Sequence, residues 1–242
     1  MSPNERLGQL FMVAAYSNRG AEHKTEIENL IRNHGIGGLI FFQGGPGRQA
    51  RLTNNYQAIS KIPLLIGMDA EWGLGMRLDS TLNYPRQMTL GAIQDLVQIE
   101  AMGKSIARQC RRLGVHVSFS PVVDINSNPA NPVIGYRAFS EDKESVATRA
   151  AAYARGLQSG GVMAVAKHFP GHGDADADSH YSLPIINRSA QQIRETELYP
   201  FRYLKDSVGG VMVAHLSIPA LDPTPNTAST VSKKIVQDIL LK

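Results

Sequence analysis

The chain has 242 residues, a net charge of +4 and a pI of about 9.2, with 43% hydrophobic and 19% charged residues. That length holds one large domain or two small ones, with ample apolar material for a core. Lys and Arg are scattered without a basic run interleaved with aromatics, which argues against nucleic-acid binding. No apolar run nears the ~18 residues of a membrane span, and a single cysteine, Cys110, excludes an internal disulfide framework.

The N-terminal "MSPNERLGQLFMVAA" has no lysine-rich start before a long apolar stretch, so no signal peptide is read there. "QLFMVA" (9–14) is the first short apolar run, followed by "GGLIFF" (37–42). The adjoining "FFQGGPGRQA" (41–50) is glycine-rich but lacks both G-x-G-x-x-G spacing and a P-loop ending, and reads as a plain loop. "PLLIGMD" (63–69) is the third run. A helix follows with Ile99, Met102, Ile106 and Leu113 on one face, then "VHVSFSPVVD" (115–124) and the loop "SNPANP" (127–132). Val146, Ala150, Tyr153 and Leu157 mark another helix before "VMAVAKHF" (162–169). Ser189 and Gln192 form a capping-box pattern, and Pro200 starts a fresh helical piece before "GVMVAHLSI" (210–218). The last helix is capped at Ser232, with Ile235, Val236, Ile239 and Leu240 apolar.

Nearly continuous β-branched or aromatic runs are how strands read when both sheet faces are buried. Their alternation with helices predicts an α/β fold with a parallel sheet. Chemically loaded residues stand just after several runs: Asp69, Asp124, Lys167, His168 and His215. That favours a (β/α)8 TIM-type barrel, whose strand ends surround one mouth, over a doubly wound sheet. Six runs are present where a barrel needs eight, so the sequence is expected to be an incomplete barrel, truncated by two strands.

"KHFPGHGDADADSH" (167–180) gathers three histidines and three aspartates. As a calcium loop it fails, with Ser179 where Gly belongs and Ile185 where Glu belongs. His168, His172, Asp174, Asp178 and His180 have donor atoms for a transition metal but no zinc spacing, and that reading stays open. In a proton-transfer reading Asp178 orients His180 and stabilises its charged form. Asp174 and Asp176 read as solvating a surface loop, and His172 as a loop-shaping residue between two glycines. Asp124 reads as structural, and His215 as either lining a site or packed in the core.

"KHFPGHG…DSH", with "NPVIGYRAFS" (131–140) and "VMVAHLSIPALD" (211–222), resembles glycoside hydrolase family 3, and within it the bacterial β-N-acetylglucosaminidases. The resemblance runs from about Leu7 to Lys242. It implies one N-terminal catalytic barrel domain over 1–242, lacking its C-terminal part. The implied reaction is retaining hydrolysis of terminal β-linked N-acetylglucosamine from peptidoglycan-type fragments. It carries the acid/base onto His180 assisted by Asp178, and sugar contacts onto Asp69, Arg77, Arg137, Lys167 and His168. Without the resemblance, Arg77 and Arg137 read as structural ion-pair partners. No cofactor is implied, and the partner is a carbohydrate. The compartment is left open between cytoplasm and periplasm.

Two departures stand out. "DAEWG" places Trp72 where the family has glycine. The family nucleophile, an aspartate after the next strand, is expected beyond Lys242, so the 242 residues alone are expected to hydrolyse nothing. A β-glucosidase of the same family and an inactive sugar-binding module are the alternatives.

Overall fold

The computed structural model describes residues 1–178 and 182–242. Helix α1 (Pro3–Gly8) leads into strand β1 (Met12–Ala15), then α2 (Ala21–His34), β2 (Gly38–Phe41), α3 (Pro46–Ile59) and β3 (Leu65–Met68). Next come α4 (Gln87–Gly91), α5 (Leu96–Arg112), β4 (Val117–Ser118), α6 (Lys143–Ser159) and β5 (Met163–Phe169). Short helices α7 (Ala190–Gln192) and α8 (Tyr199–Leu204), strand β6 (Gly210–Val213) and α9 (Lys233–Ile235) complete the order.

The six strands are all parallel and lie in sequence order, β1 to β6. With helices around it, this sheet is a curled half-barrel. The order settles the choice of architecture, because a doubly wound sheet reverses its strand order at a switch point.

Burial follows position in the sheet. The central strands are buried on both faces, whereas every residue of β6 is half-buried and β1 has only Ala15 fully buried. Helices α5 and α6 carry the expected faces: Ile99, Ile106, Val146, Ala150, Tyr153 and Leu157 are all buried. The two cross closely because both contribute glycine at the contact. A Cβ on Gly103 would stand 3.2 Å from the Gly156 Cα.

Several element boundaries differ from expectation. The run 115–124 forms only Val117–Ser118 as a strand, plus a bridge from Val122 to Lys167. Pro121 has no N–H for the ladder, so pairing lapses around it. The glycine-rich stretch is loop only as far as Gly45, and Pro46 opens α3 from its first turn. The capping box at Ser189 and Gln192 is present, but α7 passes into a π-helical turn, Ile193–Glu197. Pro200 lies in the first turn of α8, and the Ser232 hydroxyl caps α9 as its position suggests.

Candidate functional site

The strand ends converge on a buried ionic network. Asp69 and Glu71 follow β3 two residues apart, so their side chains leave the extended chain on one side. The Lys167 ammonium on β5 lies 2.8 Å from Asp69 Oδ1 and 2.8 Å from Glu71 Oε1. Arg77, just beyond a 3-10 turn (Leu74–Met76), donates to Asp69 Oδ2 at 2.5 Å. Arg137, at the end of the 3-10 turn Gly135–Arg137, makes a two-pronged contact with Glu71 at 2.9 and 2.7 Å. Each carboxylate therefore meets a cation on both oxygens, which such buried charges require.

Lys167 and His168 are neighbours on one strand, yet both serve this network. The ladder between β5 and β6 shifts register between Lys167 and Phe169. A bulge of this kind re-aims a side chain that would otherwise point to the opposite face. His168 Nδ1 lies 2.7 Å from Asp124 Oδ2, and its Nε2 lies 3.5 Å from an Arg137 nitrogen. Asp124 also accepts from the backbone N–H groups of His168 and His172.

Electrostatics follow from these contacts. Burial works against the charged Asp69 and Glu71, but Lys167 leads the cations that outweigh it, and both carboxyls are held below their ordinary range. Burial likewise opposes the Asp124 charge, and the His168 contact overrides it. His168 is pushed down by burial against the pull of Asp124. A neutral His168 with its proton on Nδ1, facing Asp124, leaves the Nε2 lone pair toward Arg137.

All five residues assigned to sugar contact are thus drawn together: Asp69, Arg77, Arg137, Lys167 and His168. Their pairing also fits the plain ion-pair reading of the two arginines. Glu71, absent from that set, is the hub between Lys167 and Arg137; its same-side spacing from Asp69 was the signal for it. Asp124 is buried and fixes the His168 ring. His172 is buried and shapes the loop through its backbone, whose carbonyl accepts from Asn131 Nδ2 at 2.8 Å. His215 is neither a core residue nor part of the network; it is exposed, with Nδ1 2.7 Å from Thr230 Oγ1. Trp72 packs its ring against the Arg86 guanidinium at 3.9 Å.

The loop calls for one correction. Asp174 does not merely solvate: Arg188 Nε and Nη2 reach its two oxygens at 2.8 and 2.9 Å. That pair ties Asp174 to Arg188, which stands just before α7. Asp176 is exposed and Asp178 half-buried. His180 lies outside the described residues.

A half-barrel of parallel strands with a charged network at its C-terminal mouth has the build of a barrel enzyme domain. The family model "Glycosyl hydrolase family 3 N terminal domain" matches residues 3–242, and the chain belongs to that family. A β-hexosaminidase of Nitrosomonas eutropha is 39% identical over 228 residues, covering 89% of this chain and 64% of the relative. A family 3 β-N-acetylglucosaminidase structure from Paenibacillus sp. strain FPU-7 superposes with a TM-score of 0.91 at 34% identity, covering 99% of this chain and 47% of that one. A β-glucoside phosphorylase structure gives a TM-score of 0.92 at 27% identity, covering 99% and 44%. The chain therefore spans less than two thirds of the length of these relatives.

Proposed function

We propose that this chain is the sugar-binding part of the catalytic barrel domain of a retaining exo-β-N-acetylglucosaminidase. Its substrate is terminal β-linked N-acetylglucosamine on peptidoglycan-type fragments. The observation that carries the reading is the buried Asp69–Lys167–Glu71–Arg137 network beside His168. Carboxylates and cations locked by one another present fixed acceptors and donors, and a sugar lacking a matching hydroxyl leaves a charged group unpaired. The names of the hexosaminidase relatives support the substrate class.

In this proposal His180 protonates the leaving oxygen, Asp178 orients it, and an aspartate outside residues 1–242 attacks the anomeric carbon. Loss of the aglycone then gives a glycosyl-enzyme that water cleaves, with His180 as base. Asp69, Arg77, Arg137, Lys167 and His168 hold the sugar.

Calorimetric titration of the 242-residue chain with N-acetylglucosamine and with glucose tests the pocket. Saturable binding favouring the N-acetylated sugar, weakened at least about tenfold by Asp69→Asn, is expected; about 1.4 kcal/mol corresponds to that factor. Preference for glucose moves the assignment to a β-glucosidase, and no binding of either sugar overturns the pocket. Steady nitrophenol release from a β-N-acetylglucosaminide by these residues alone contradicts placing the nucleophile outside them.

A further inference from the structure

A second concavity, of 330 Å³, opens between α2 and α3. Four cations line it: Arg19, Lys24, Arg48 and Arg51. Two carboxylates offset them in part. Glu28 lies 3.6 Å from Lys24, and Asp79 lies 2.8 Å from Arg48 in a pair that is half exposed. Arg19 rests its guanidinium 3.6 Å over the Tyr16 ring, which keeps its charge at the rim.

The floor of the cavity adds two features that scattered surface charge does not explain. Helix α2 begins here, and its N-cap, Gly20, has no side chain to satisfy the first-turn N–H groups. Those groups and the helix dipole favour an anion at this end. Tyr56, from α3, is 1% exposed and lines the same cavity, and its hydroxyl has no hydrogen-bond partner among the described residues. A buried hydroxyl left unpaired costs free energy unless a ligand accepts its hydrogen bond.

We propose that this cavity is a phosphate-binding site, in which the Tyr56 hydroxyl and the start of α2 donate to the oxygens of a phosphate group and Arg19, Lys24, Arg48 and Arg51 balance its charge. The group is that of inorganic phosphate or of a small phosphate monoester. The site is independent of the sugar pocket, although Tyr16 on its wall stacks on Phe42, which in turn carries Arg77 4.7 Å from its ring centroid.

The test is calorimetric titration of the 242-residue chain at low salt with inorganic phosphate, with glycerol 3-phosphate, and with glycerol as the uncharged control. One-site binding of a phosphate is expected, with at least about a fivefold loss in Tyr56→Phe and in Arg51→Gln, and no response to glycerol. Tyr56→Phe removes only an unpartnered hydroxyl, so it is expected to melt no lower than the parent in phosphate-free buffer. Tighter binding of the monoester identifies an esterified ligand, and equal or tighter binding of the inorganic ion identifies free phosphate. Absence of binding by either phosphate overturns the proposal. So does undiminished binding by Tyr56→Phe, which reduces the site to a surface patch of cations, or binding that survives Arg51→Gln, which places the ion elsewhere.

Discussion

Lys167 holds two carboxylates in the interior, and removing it exposes how much of the site is mutual neutralisation. In Lys167→Met the side chain keeps most of its volume, but Asp69 retains only Arg77 and Glu71 only Arg137. Breaking a buried ionic set from one side costs about 3–5 kcal/mol, because a charge is left uncompensated. Glu71, with a folded pKa below its ordinary value, contributes stability that is present above that value and lost as pH falls through the depressed one. In Lys167→Met that depression shrinks, so the deficit is expected to be larger at pH 7 than at pH 4. Urea denaturation at both pH values checks this, and an equal deficit at both would contradict it. The strand-end positions of Asp69, Lys167 and His168 were legible because parallel strands deliver their last residues to one mouth. The partnership of Glu71 with Arg137 was not, since it joins residues 66 apart through a loop whose path no periodicity encodes.

The helical turn bearing Glu197 packs under the root of the histidine-rich loop. Gly171, at φ 132°, leaves room for it; a Cβ there would stand 2.7 Å from the Glu197 Cβ. Glu197 has Arg188 at 3.6 Å and Ser127 Oγ at 3.5 Å on one oxygen, while the other is buried without a partner among the described residues. Burial raises its carboxyl to about 7, against the pull of Arg188 and with help from Asp124 and Asp174. Between its ordinary value and about 7 the folded chain holds a proton that the unfolded chain has released, so stability falls as pH rises across that window. Glu197→Gln cannot titrate. Relative to the parent it is expected to gain roughly 2–3 kcal/mol between pH 5 and pH 8, since each tenfold difference in proton affinity between folded and unfolded chain is worth about 1.4 kcal/mol. Denaturant midpoints at the two pH values decide it, and a constant difference between the proteins sinks the assignment. At this scale the sequence was mostly readable. Capping residues and prolines mark ends through local chemistry, so Ser189, Pro200 and Ser232 fell where expected. Strand lengths read less well, because a ladder depends on its neighbour, as Pro121 shows.

Over the whole molecule, the half-barrel has two edge strands, and they are treated differently from the middle. Six apolar runs and their order were visible in the sequence because each central strand is buried on both faces. The curl and the exposed flanks come from packing that a single run does not record. Beside β1 a 640 Å³ concavity has apolar residues in its lining, among them Leu7, Phe11, Val13 and Leu30, interspersed with polar ones such as Glu5 and Arg32. Leu10, next to it, is 80% exposed. An apolar flank joined to an unpaired backbone edge is a template for pairing with another chain. The 242-residue chain is therefore expected to self-associate as its concentration rises, with a melting transition that shifts and broadens. Leu10→Lys places a charge beside the edge without touching the core. It is expected to raise the monomer fraction in sedimentation while changing stability by no more than about 0.5 kcal/mol, the usual range for a surface substitution. A parent chain that sediments as a monomer at every concentration, and melts sharply and independently of concentration, would show that the curled sheet protects its own edges.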